Sequence, residues 1–163
     1  IMGINTLSLG QFLTFAAAAI SVILAGWGSA KGVGLAGQTS AGVSSENPEV
    51  NSKLMVLQIL PGTQGIYGFL IAVIILVNTG ALGGNMTDVS VGNGLLYIGA
   101  VLPVAVIGMI SAIHQAKVAS AGMLMVGQHP DMSGKAITMT VMVETYAVLA
   151  LLASFLMVNA IKL

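Results

Sequence analysis

From Leu54 to Thr87 the chain carries no charged side chain at all. A run of that length offers water no polar face, whereas about 20 mostly apolar residues suffice to cross a bilayer as a helix. Three further runs behave alike. Leu9–Ala41 is interrupted only by Lys31, Val91–Val126 only by His114 and Lys117, and Ala136–Ile161 only by Glu144. Lipid-exposed backbone must satisfy its own hydrogen bonds, so all four are expected to be helical. The chain therefore reads as an all-α membrane protein. At about 1.5 Å per residue the first and third spans exceed ~45 Å and should project beyond the hydrocarbon. Composition agrees, since only 6% of the residues are charged against roughly a quarter in soluble domains.

The connectors hold the turn chemistry: SSENPEVNSK, NTGALGGNMTDVSVGNG and GQHPDMSG. Lys31, Lys53, Lys117 and Lys135 flank the first and third of these, and the middle one has no Lys. The positive-inside rule then places connectors 1–2 and 3–4 in the cytoplasm, and both termini and the middle loop outside. Lys162 is the one residue that argues the other way. The N-terminus lacks a basic region ahead of its apolar stretch, so the first helix is expected to belong to the mature protein. The chain has no Arg, and its five Lys balance five acids. Nothing in that charge invites nucleic acid. The absence of Cys excludes disulfides and thiolate metal sites.

Two halves emerge. SAKGVG around Lys31 echoes QAKVAS around Lys117, and ENPEVNSK echoes QHPDMSGK. The pattern is a duplicated helical hairpin with parallel halves, about 9–80 and 91–161, within one membrane domain spanning 1–163. Small residues recur every fourth position at Gly28, Gly32 and Ala36, and again at Gly108, Ala112, Ala116 and Ser120. That spacing lets helix backbones approach closely in lipid. It fits packing within one chain, and equally an inner ring wall of first and third helices with the second and fourth outside.

Polar residues deep in the spans mark a candidate site. Gln64 lies about eleven residues in from Lys53, Gln115 about eleven before Val126, and Glu144 about ten past Gly134. The three thus share one depth, roughly 15 Å from the same helix ends. An acid at the bilayer centre costs on the order of 2.5–3.5 kcal/mol. Thr63, Gln64 and Gln115 bring oxygen acceptors suited to a hard cation, and the Leu60 carbonyl lies one turn before Gln64. Bond counting says that Pro61 frees the carbonyl of Leu57, so engaging Leu60 needs further distortion. Tyr67 can donate its hydroxyl to the carboxylate. Taken singly, Glu144 also fits a protonated acid bonded between helices, and either glutamine fits interhelical glue. Tyr67 alone fits packing or an interfacial anchor, and Thr63 a bond to its own helix. Levelled around one carboxylate, they favour an ion site. Lys117 is about 200° around the helix from Gln115 and should face away.

GSAKGVG, LPGTQGIYGF, QAKVA and VETYA, in this order over four spans, closely resemble the proteolipid subunit of rotary V-type ATPases, and above all its bacterial sodium-translocating form. The resemblance covers essentially the whole chain. It implies a homo-oligomeric ring in the cell membrane, in contact with lipid and with a central-stalk subunit on the cytoplasmic side. An ATP-hydrolysing sector would turn that ring against a stationary membrane subunit that supplies an arginine. It further implies that Leu60, Thr63, Gln64, Gln115 and Glu144 hold the ion, with Tyr67 supporting the carboxylate. His114, ahead of Gln115, departs from the family's pattern. Five oxygens exceed what a proton requires, so sodium is expected, with lithium as surrogate and the proton as the alternative. No G-x-x-x-x-G-K-[ST] phosphate loop occurs, so the subunit is not expected to be catalytic on its own. A small proton/cation antiporter, which should show an aromatic pocket beside Glu144, is the less favoured rival. A purely structural oligomer, with the polar residues as glue, is another.

Overall fold

The computed structural model describes residues 7–163. Four long helices account for nearly all of it: α1 (Leu9–Glu46), α2 (Pro48–Asn78), α3 (Val91–Gln128) and α4 (Pro130–Ala160). Each is long and apolar enough to cross a membrane. At about 1.5 Å per residue, the 38 residues of α1 span roughly 57 Å, well beyond a hydrocarbon core of about 30 Å.

The connectors are shorter than the turn chemistry suggested. The first shrinks to Asn47 and the third to His129, and the two residues share one conformation, φ −136° and −133° with ψ 84°. Pro48 and Pro130 follow and open the next helix, where a missing N–H costs nothing. The identity of the two corners repeats the duplication in three dimensions. The uncharged stretch runs on to Thr87, but α2 ends at Asn78, where the middle connector was expected to begin. Gly80 ends it by adopting φ +71°, a left-handed turn open to glycine. Ser90 then caps α3 by accepting a hydrogen bond from the Asn93 N–H.

α1 packs chiefly on α2 and α3, and α4 chiefly on α3 and α2. The α1–α3 contact is close because small residues meet backbone. A Cβ on Gly28 would lie 2.5 Å from the Met109 Cα, and one on Gly32 would lie 2.8 Å from the Ala112 carbonyl oxygen. Ala36, Ala112 and Ala116 are fully buried on the same seam. Bulky residues face outward instead, among them Ile23, Trp27, Ile59, Ile66, Leu149 and Leu156. Small inside and large outside is the pattern of helices packed in lipid.

The buried apolar side chains form two clusters. One, at the short-connector end, gathers Val43, Val50, Leu54, Leu57, Ala119, Met123 and Val126. The other holds Ile71, Ile75, Tyr97, Val101, Val104 and Val158. The polar residues of α2, α3 and α4 lie at the seam between them. Polar clasps close both ends: Asn47 and Lys53 donate to the carbonyls of Gly127 and Pro130, and Gln11 and Asn93 to those of Thr87 and Lys162.

Candidate ion-binding site

α2 reaches the seam with a defect. Pro61 cannot donate to the helical ladder, and Leu60–Gly62 tightens into one 3-10 turn. The Leu60 carbonyl accepts from the Thr63 N–H and, at 3.0 Å, from the Thr63 hydroxyl. The change of helix type thus gives the Leu60 carbonyl two donors from Thr63 rather than leaving it free. A neighbouring helix takes up the slack: the Gly65 N–H donates to Ser29 Oγ of α1 at 2.7 Å. α3 has a matching defect that its Pro103 signals. Residues Pro103–Ile107 widen into a π turn, and the Val104 N–H donates to Ser154 Oγ of α4 at 3.1 Å. Such turns cluster near functional sites. Ser111 lies one turn further along.

The side chains between the defects join in one network. Tyr67 donates to Glu144 Oε1 at 2.6 Å, and Gln115 Nε2 donates to Glu144 Oε2 at 3.4 Å and to the Thr140 carbonyl at 3.2 Å. Gln64 Nε2 donates to Gln115 Oε1 at 2.6 Å and to Ser111 Oγ at 3.4 Å. Ser111 donates onward to the Val143 carbonyl at 3.1 Å. Gln64 and Gln115 are completely buried. Among the described residues, every buried side-chain nitrogen and oxygen has a partner. A buried polar network of this kind is stable only when complete.

One pair of oxygens is set apart. Thr63 has a single hydroxyl proton, and the shorter contact gives it to Leu60. Thr63 Oγ1 and Gln64 Oε1 then stand 3.4 Å apart with no proton between them. Hard cations of calcium's size hold oxygens at about 2.3–2.6 Å, so two ligands at a right angle sit about 3.4 Å apart. Glu144 is half-buried. Its open side borders a groove of about 340 Å³ lined by Val141, Thr145, Val148 and Leu149. On this side the carboxylate meets a largely apolar surface.

The structure brings Leu60, Thr63, Gln64, Gln115, Tyr67 and Glu144 to one level on three helices. Lys117 is exposed and away from the acid, and Lys31 lies with its ammonium 5.2 Å from the centre of the Trp27 ring. His114 faces outward beside Tyr146. Sequence reasoning passed over Ser111 and Thr140. Each stands four residues before a named site residue, Gln115 and Glu144, and so shares its helix face. That spacing was the available signal.

The family of ATP synthase C subunits matches this chain twice, over residues 16–75 and 98–157. The V-type sodium ATPase subunit K of Enterococcus hirae is 44% identical over 91% of this chain and 92% of its own length. The A-type ATP synthase subunit K of Methanocaldococcus jannaschii is 36% identical over 86% of this chain, which spans 59% of that protein. Both copies of the matched domain coincide with the two hairpins, α1–α2 and α3–α4. The chain belongs to the family of ATP synthase C subunits.

Proposed function

We propose that this chain carries sodium ions across the membrane on Glu144, as one subunit of a rotor ring whose ATP chemistry lies in other subunits. The observation that carries the reading is the pairing of one intramembrane carboxylate with a turn that offers oxygen. Thr63 and Gln64 offer two oxygens from α2, and Glu144 brings the charge from α4. The Leu60 carbonyl would join by giving up the Thr63 hydroxyl, and Gln115 Oε1 through the lone pair that Gln64 leaves unused. The set is hard, carries one negative charge and has no sulfur or imidazole, which suits a small monovalent cation.

Electrostatics gives the cycle. A sodium ion on ionised Glu144 makes a neutral pair, which costs little to turn through lipid. Opposite a stationary subunit that supplies an arginine, the carboxylate exchanges one positive partner for another and releases its ion through the groove beside Val141 and Leu149. Moving one charge against 100 mV takes about 2.3 kcal/mol, so several ions can share the free energy of each ATP. Short connectors on the cytoplasmic side would face the central stalk, with both termini outside. Lithium, of similar hardness, should substitute for sodium.

Glu144→Gln keeps the side chain's shape and removes its charge. The variant should insert and assemble normally while sodium transport by the reconstituted complex falls to background. Retained transport would overturn the reading. The proton version predicts a different result for the unsubstituted complex, namely pumping that continues at full rate without sodium.

A further inference from the structure

We propose that Ser111 is a positioning residue that sets which end of the Gln64 amide faces the ion; this rests on the sodium reading above. The argument is one of proton counting. The Val143 carbonyl can only accept, so the single hydroxyl proton of Ser111 is committed to it at 3.1 Å. Toward Gln64, 3.4 Å away, Ser111 can then only accept. A flipped Gln64 amide would turn its carbonyl onto that oxygen, which could answer it only by giving up the Val143 bond.

The opposite side imposes the same sense. The Thr140 carbonyl, again an acceptor only, takes a proton from Gln115 Nε2 at 3.2 Å. This turns Gln115 Oε1 toward Gln64, where it accepts from Gln64 Nε2 at 2.6 Å. Two backbone carbonyls of α4, at Thr140 and Val143, therefore dictate the orientation of a side chain on α2 through two residues of α3. The outcome is that Gln64 Oε1 is left on the Thr63 side, 3.4 Å from Thr63 Oγ1. Among the proposed ligands, the Ser111 hydroxyl hydrogen-bonds only Gln64. Its effect on the ion has to pass through that amide.

The test is a double-mutant cycle read by equilibrium binding of radioactive sodium to purified, assembled rings. Ser111→Ala frees the amide to rotate, and losing one buried hydrogen bond should weaken sodium binding about five- to tenfold. Lithium-to-sodium preference should change with it. In a Gln64→Ala background the same substitution should add less than twofold. Ser111→Thr, which keeps the hydroxyl, should restore binding to within about threefold. Should Ser111→Ala fail to assemble, Ser111→Cys repeats the cycle with a near-isosteric group that bonds poorly. Unchanged affinity, or an equal loss with and without the Gln64 side chain, overturns the role of Ser111 alone. No saturable sodium binding to the unsubstituted ring overturns the sodium reading and takes this inference with it.

Discussion

Glu144 sets the energetic problem that its neighbours solve. A bare carboxylate at mid-membrane costs on the order of 2.5–3.5 kcal/mol, and hydrogen bonds to a charged group return about 1.5–3 kcal/mol each. Tyr67 at 2.6 Å supplies the stronger of the two donors. Tyr67→Phe should therefore leave the fold intact and weaken sodium binding by about tenfold, measured by titration of the assembled ring. An unaltered affinity would show that the hydroxyl does not support the carboxylate. Gln64, Gln115 and Glu144 were legible in the sequence because a full amide or carboxylate has no routine place in an apolar helix. Ser111 and Thr140 were not. Short hydroxyl side chains in helices commonly bond their own backbone, as Thr140 does to the Ala136 carbonyl at 2.8 Å. Only three-dimensional placement shows that Ser111 reaches another helix.

Each helix is shaped by a few residues that break its regularity. Pro61 accompanies one 3-10 turn of α2, in which Thr63 bonds back to the Leu60 carbonyl through both its N–H and its hydroxyl. Pro61→Ala should let that turn relax to an α-helix, stabilising α2 locally while lowering sodium affinity. A variant that binds as well as the parent would separate the defect from the site. Gly28 acts by absence. A side chain there meets the backbone of Met109 at 2.5–2.6 Å, and backbone cannot move aside cheaply. Gly28→Val should reduce the yield and melting temperature of the assembled protein, by about 1–3 kcal/mol of overpacking or more. Gly42→Ala, with nothing within 4 Å, should be tolerated. The existence and order of the four helices could be read from hydropathy, because length and absence of charge determine them. Their ends depend on turn chemistry instead. Asn78 and Gly80 marked the close of α2, and Gly80 does turn left-handed there. At the short connectors the same chemistry overstated the break, because Asn47 and His129 turn the chain within a single residue and prolines begin the following helices.

The folded chain is two copies of one hairpin that share a single carboxylate. The first and third connectors have the same corner geometry, yet only the second hairpin carries an acid at mid-depth. The duplication was visible in the paired Lys and Pro motifs, since turn chemistry survives where apolar positions drift. What the repeats build together, a polar seam between two apolar clusters, was visible only as a shared depth. The chain has no native Cys, which makes its sidedness directly testable. A cysteine introduced at Glu49 should react with a membrane-impermeant maleimide from the cytoplasmic face, and one at Leu82 from the outer face. The reverse pattern would invert the proposed topology. The decisive measurement is carbodiimide modification of the purified ring with the labelled residue identified by mass spectrometry. The account predicts that Glu144 is modified and that sodium protects it, while potassium at equal ionic strength does not. Labelling of Glu144 that sodium leaves unchanged at neutral pH would contradict it.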